Sequence, residues 1–165
     1  MRFISILLTL AIIVSCNNNK KKMEQTSITS FFDSDTNYVQ TGIYDIVDLK
    51  SGIVKPMEFS TLKYALSREP LVSVVNIQEA SFVMAEEAPD GLNTMVLKFD
   101  SIGTEALKRI TGNRDYPELG WALANKLVYV VINKANITTG ILNIFLDNYS
   151  EEELRTMVEA IRNKM

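Results

Sequence analysis

The residues that can do chemistry in this chain are few, and their types narrow the choices. None of the 165 residues is histidine, so imidazole bases, Ser-His-Asp triads and His-ligated zinc are excluded. Cys16 is the only thiol; it has no partner for an internal disulfide, and its available chemistry is that of a sulfur nucleophile. Asp33-Ser34-Asp35-Thr36-Asn37 sets oxygen side chains at alternating positions, as a calcium loop does. The rest of that loop fails, because Tyr38 stands where the turn needs glycine and Tyr44 where a bidentate glutamate is needed. These residues read as the turn-rich end of a linker. Glu86 and Glu87 would point to opposite sides of an extended chain and read as a solvated loop. No catalytic residue, metal or cofactor is expected, and the chain reads as non-enzymatic.

The setting of Cys16 says more than its reactivity. Arg2 precedes an apolar run from Phe3 to Val14, about a dozen residues, which is the length of a secretory leader and short of the roughly 20 that span a bilayer. The run ends Ile13-Val14-Ser15-Cys16, which resembles the lipobox of bacterial lipoproteins. That resemblance implies cleavage after Ser15 and a diacylglyceryl thioether on Cys16, which becomes the first residue. Several acyl chains anchor stably where one does not, since each buried methylene contributes about 0.8 kcal/mol. Asn17 to Thr26 is polar with basic residues at Lys20 to Lys22, as a hydrated tether should be. A tether of about 20 residues would hold a domain on the order of 25 Å from the lipid. The resemblance further implies that an aspartate after the cysteine favours the inner membrane. Asn17 stands there instead, so the outer membrane, on its periplasm-facing side, is the expected address.

The net charge is −3, and −4 once Arg2 leaves with the leader. That balance argues against a nucleic-acid binder, which concentrates basic residues on one surface. With nearly half its residues apolar, the remainder can fill one ordinary core.

The elements behind these residues read as α+β. Thr41 to Asp48 is expected as a strand before a turn at Ser51-Gly52, and Leu62 to Leu66, which alternates apolar and polar, as an exposed edge strand. Asn76 to Ala80 reads as a tight turn feeding a strand over Ser81 to Glu86, and Asp90-Gly91 suits a hairpin turn. Thr94 to Asp100 is a strand that ends in a helix capped by Asp100 or Ser101, with Ile102, Ala106, Leu107 and Ile110 on its inner face and Gly112 ending it through positive φ. Trp121 to Ala124 and Leu127 to Ile132 read as strands joined at Asn125-Lys126, and Ile141 to Leu146 as another. The last helix is the most fully specified, with a capping box of Ser150 and Glu153 and Leu154, Met157, Val158 and Ile161 on one face.

In this order, short cues resemble the head subdomain of the first periplasmic domain of SecD and SecDF, accessory subunits of the bacterial protein-export translocase. They are Ile77 to Ala80, Val96 to Gly103, Ile110-Thr111, Trp121 to Lys126, Ile137 to Gly140 and Tyr149-Ser150-Glu151-Glu152. The resemblance covers Ser73 to Met165. Ala124-Asn125 departs from the family's Asp-Gly, Tyr129-Val130-Val131 from its small residues and proline, and a lipid on Cys16 would replace its transmembrane helices.

The expected plan is a signal peptide over 1–15, a lipidated cysteine and tether over 16–36, N-terminal strands over 37–72 and a head-like subdomain over 73–165. A mixed or antiparallel sheet would carry two main helices on one face. The resemblance implies contact with a polypeptide or another envelope component, with a link to protein export; a structural or assembly lipoprotein is the alternative. The membrane is the second expected partner, through the lipid on Cys16. Strand addition at Leu62 to Leu66 would be the physical means of contact.

Overall fold

The computed structural model describes residues 37–164. Cys16, the leader, the tether and the Asp33 to Thr36 part of the calcium-like loop lie outside them. The chain runs β1 (Gly42–Val47), β2 (Ile53–Pro56), β3 (Lys63–Leu66), β4 (Val72–Ser73), β5 (Ile77–Val83), β6 (Thr94–Phe99), α1 (Ser101–Thr111), β7 (Glu118–Leu123), β8 (Lys126–Ile132), β9 (Ile141–Phe145) and α2 (Glu151–Arg162). The expected α+β class is observed. The strands divide between two sheets, one ordered β2-β3-β1-β7-β8 with β4 beside β1, the other β5-β6-β9. Every strand pair is antiparallel.

Period-two alternation lets the larger sheet serve two cores. Ile43, Leu119 and Trp121 face the main core, together with Met95, Leu97 and Ile144 of the smaller sheet, Leu107 and Ile110 of α1, and Leu154, Val158 and Ile161 of α2. Tyr44 and Ala122 face a second core with Val39, Ile53, Leu66 and Leu127. The larger sheet curls around that second core until its ends meet. Met57, just past β2, bridges Leu127 in parallel, and the Glu58 amide donates to the Leu127 carbonyl at 2.9 Å. Gly120 sits where Leu66, Ile46 and Leu127 converge, and a Cβ there would lie 2.9 to 3.1 Å from their methyl groups. A side chain at 120 would therefore push the curl open.

Both helices start as their sequences require. The Asp100 carboxylate accepts from the Gly103 amide at 2.7 Å, and the box of Ser150 and Glu153 forms in both directions. These contacts satisfy first-turn amides that have no partner within a helix. At the other end of α1, Gly112 has φ −86°, so it closes the helix without positive φ.

Several expectations are corrected. Asn76 to Ala80 is not a turn: a single 3-10 turn covers Val74–Asn76, and Ile77 already pairs with Phe99, with a bulge before Glu79. That bulge breaks the alternation by one residue, which is why the segment does not read as a strand. Ile102 is 70% exposed, because the buried face of α1 is centred on Gly103, Leu107 and Ile110. The β7–β8 turn consists of Ala124 and Asn125, at φ 48° and 72°, with Leu123 paired to Lys126.

Candidate functional site

The expected docking edge does not exist. β3 lies between β2 and β1, pairing with both, and Ala65 and Leu66 are fully buried. Its alternation comes from one side of the curled sheet facing the second core, a feature it shares with an edge strand. Among the described strands, the larger sheet ends at β2 and β8, which meet at Met57 and Leu127 and leave the later part of β8 open, β4 pairs only with β1, and the smaller sheet ends at β5 and β9. At β5 the Arg162 guanidinium from α2 already binds the Ala80 carbonyl, at 2.9 and 3.2 Å.

The backbone of β9 is addressed outward at alternate residues. The Leu146 amide donates to Asn93 at 2.7 Å and the Phe99 amide to Gly140 at 2.9 Å, and the register pairs Met95 with Ile144 and Leu97 with Leu142. In an antiparallel ladder these hydrogen-bonded pairs recur every second residue. Even-numbered residues of β9 therefore face β6, and Ile141, Asn143 and Phe145 direct their amides and carbonyls away from it. The Thr139 hydroxyl accepts from the Ile141 amide at 3.3 Å, which leaves Asn143 and Phe145 open. The same reasoning applies to β8. The Asn133 amide donates to Pro117 at 2.8 Å and Val131 pairs with Leu119, so Val130 and Ile132 point outward.

β8 and β9 line one cavity of about 140 Å³, walled by Trp121, Tyr129, Val131, Leu142, Ile144 and Phe145. Among the described residues Lys134 is its only charged lining residue. Two polar anchors hold the connection that joins its sides. Asn133 donates to the Ile110 and Tyr116 carbonyls at 2.9 and 2.8 Å, tying the end of β8 to the end of α1. The buried Thr111 hydroxyl accepts from the Ile137 amide at 2.9 Å while donating to Leu107 at 2.8 Å. The Trp121 Nε1 is buried and has no hydrogen-bond partner among the described residues. Burial, and to a lesser degree the Asp147 carboxylate, push the Tyr129 hydroxyl pKa up, so it remains a neutral phenol.

The volume decides what such a site can hold. Small-molecule pockets run from roughly 300 Å³ upward, while an apolar cavity of about 150 Å³ takes a benzene. One apolar side chain of that size fits, supplied by a chain lying along an open strand edge. Among the described residues no group of three or more His, Cys, Asp or Glu is placed to hold a metal, and Glu86 and Glu87 are exposed in the loop between β5 and β6.

No protein-family model matches the chain, and no curated protein matches it either. Solved structures do match, two of SecDF among them. A structure of SecDF, described as a membrane component that enhances protein export, aligns at TM-score 0.52 and 16% identity over 74% of this chain and 63% of its own. SecDF in its super-membrane-facing form aligns at TM-score 0.54 and 16% identity over 74% of this chain and 19% of its own.

The fold is SecDF-like.

The chain spans less than two thirds of either SecDF chain it matches. The aligned share also exceeds the Ser73 to Met165 stretch that carries the sequence cues, so the likeness extends to residues before Ser73. Among the described residues no helix is long and apolar enough to cross a membrane. The open β9 edge escaped sequence reading although the strand itself did not. Its alternation, with Ile144 buried and Ile141, Asn143 and Phe145 exposed, is visible in sequence only as a mostly apolar run.

Proposed function

We propose that this chain is a non-enzymatic envelope protein, anchored by lipid on Cys16, whose domain binds an extended polypeptide along β9 in the course of protein export. One observation carries the reading: two open strand edges, β8 and β9, line a single apolar cavity of one-side-chain size. An added strand takes main-chain hydrogen bonds from Asn143 and Phe145 and sends one apolar side chain into the cavity. Backbone bonding is indifferent to sequence, and the cavity asks only for an apolar group, which suits a protein that meets many polypeptides. The export role described for SecDF supports the same reading, and the lipobox-like Ile13 to Cys16 supports the anchor, with the outer membrane favoured by Asn17.

The test is a photo-crosslinking amino acid placed at Asn143, at Val131 and, as a control, at exposed Lys50, in the full chain in its native envelope. Crosslinks to a range of exported polypeptides from 143 and 131, absent from 50, are expected. An identical pattern from all three positions, or none from 143, refutes the groove. A single stoichiometric partner that co-purifies in mild detergent would replace this reading with that of an assembly subunit.

A further inference from the structure

A second cavity, of about 450 Å³, shares no lining residue with the groove. It lies between the loop after β2, the β7–β8 turn and the first turns of α2, over a floor that includes Leu123, Val128 and Met157. Two aromatic rings stand at one side. Phe59 meets Tyr149 edge to face, with centroids 4.7 Å apart and planes at 87°. Phe59 is 62% exposed and has φ 55°, a left-handed conformation that a bulky side chain adopts only against a steric penalty.

The charges are lopsided. Glu58, Glu152 and Glu153 line the cavity against a single base, Lys126. Glu153 is spent on the α2 cap, accepting from the Ser150 amide and hydroxyl at 2.8 and 2.7 Å. Glu58 accepts from the Tyr149 hydroxyl at 2.8 Å and from the Lys126 ammonium at 2.7 Å. Burial first, and Glu58 second, push the Tyr149 pKa far up, so its hydroxyl stays a donor. Among the described residues the Glu152 carboxylate has no hydrogen bond or ion pair. The Lys126 side chain is 66% exposed where that of Glu58 is 24% exposed, so a surface cation reaches in to meet a sheltered acid.

We propose that this cavity receives a basic side chain, arginine or lysine, of a partner polypeptide. The charged head lies between Glu58 and Glu152, and the stem and head pack on Phe59 and Tyr149, whose ring faces attract cations. Lys126 is the chain's own stand-in for that head and swings to solvent when the ligand enters. The volume suits one long side chain with part of its backbone. The planar guanidinium, which stacks on rings and binds carboxylates through two N–H groups, is the better fit of the two. The inference does not depend on the β9 groove, and either can fail alone.

The experiment titrates the ¹⁵N-labelled full chain in detergent micelles with acetyl-Gly-Gly-Arg-Gly-Gly-amide and with its neutral citrulline counterpart. The arginine peptide should shift the Phe59, Lys126, Tyr149 and Thr156 amides and saturate on the order of millimolar, leaving β9 unmoved; the citrulline peptide should do neither. Phe59→Gly, which accepts φ 55° without strain and so keeps the fold, should weaken binding roughly three- to five-fold. Glu152→Gln, on an exposed helix face, should weaken it roughly three-fold at low salt and leave a smaller gap at high salt. Equal shifts from citrulline, shifts confined to β8 and β9, or unchanged affinity in both variants would overturn the assignment. Spermidine moving the same amides at lower concentration than the arginine peptide would overturn it in favour of a free amine.

Discussion

Proline at Asn143 should silence the β9 edge while leaving the fold nearly intact, and proline one residue earlier should do the reverse. The difference follows from the ladder. The Leu142 amide points toward Leu97 in β6, whereas the Asn143 amide points to solvent. Asn143→Pro removes a donor with no partner in the domain, and Leu142 before it is already extended, as a residue preceding proline must be. The residual cost is adjustment of φ, roughly 1 kcal/mol. Leu142→Pro removes a ladder donor, strands the Leu97 carbonyl at about 1–3 kcal/mol, and sacrifices part of a half-buried leucine at about another 1 kcal/mol. For a domain of this size 1 kcal/mol is about 3–5 °C in midpoint. Thermal unfolding followed by circular dichroism should therefore fall by about 5 °C or less for Asn143→Pro and by on the order of 10 °C for Leu142→Pro. Crosslinking from Val131 in the Asn143→Pro background should then drop several-fold although the protein is folded. Equal destabilisation by the two prolines would refute the ladder assignment. A stable Asn143→Pro that still crosslinks fully would refute strand addition.

The remaining predictions concern single positions. Ala124 takes φ 48° at the first position of a turn that favours glycine or asparagine, so Ala124→Gly should raise stability by about 0.5–1 kcal/mol in urea denaturation. Asn125→Gly should instead lower it by about 1–2 kcal/mol, because the Asn125 side chain accepts from the Val39 amide at 2.9 Å and the Lys55 ammonium at 2.7 Å. Desolvation raises the Asp45 pKa, the Ile46 amide offsetting only part of it, and its Oδ1 is buried without a partner among the described residues. The folded state therefore holds that proton more tightly than the unfolded one, and stability falls as pH rises from the unfolded carboxylate pKa through the raised folded value. Asp45→Asn should be more stable than the parent at pH 7, with the gap closing below the unfolded pKa; an unchanged gap at low pH would remove charge desolvation as the cause. Cys16→Ser should abolish incorporation of labelled palmitate and release the chain from the membrane fraction; retention of label would refute lipidation at that thiol.

The parts legible in sequence are those fixed by neighbours within a few residues. Asp100 and Ser150 cap the helices they precede because a short oxygen side chain reaches amides two or three positions on, whatever the rest of the fold does. The inner face of α2 follows from 3.6-residue spacing alone, and a chain without histidine has no imidazole chemistry however it folds. Pairing is different, since a strand's alternation shows that it has an inner and an outer face but not which strand lies beside it. Leu62 to Leu66 and Ile141 to Leu146 are thus both recognisable as strands, yet the first is an interior member of a curled sheet and the second an open edge. Only tertiary contacts decide that, through the closure at Met57 and Leu127 and the crossing held by Thr111 and Asn133. Both cavities come from the same level. Phe59 and Tyr149, like Trp121 and Phe145, are far apart in the chain, and what they can bind depends on how the sheets bring them together.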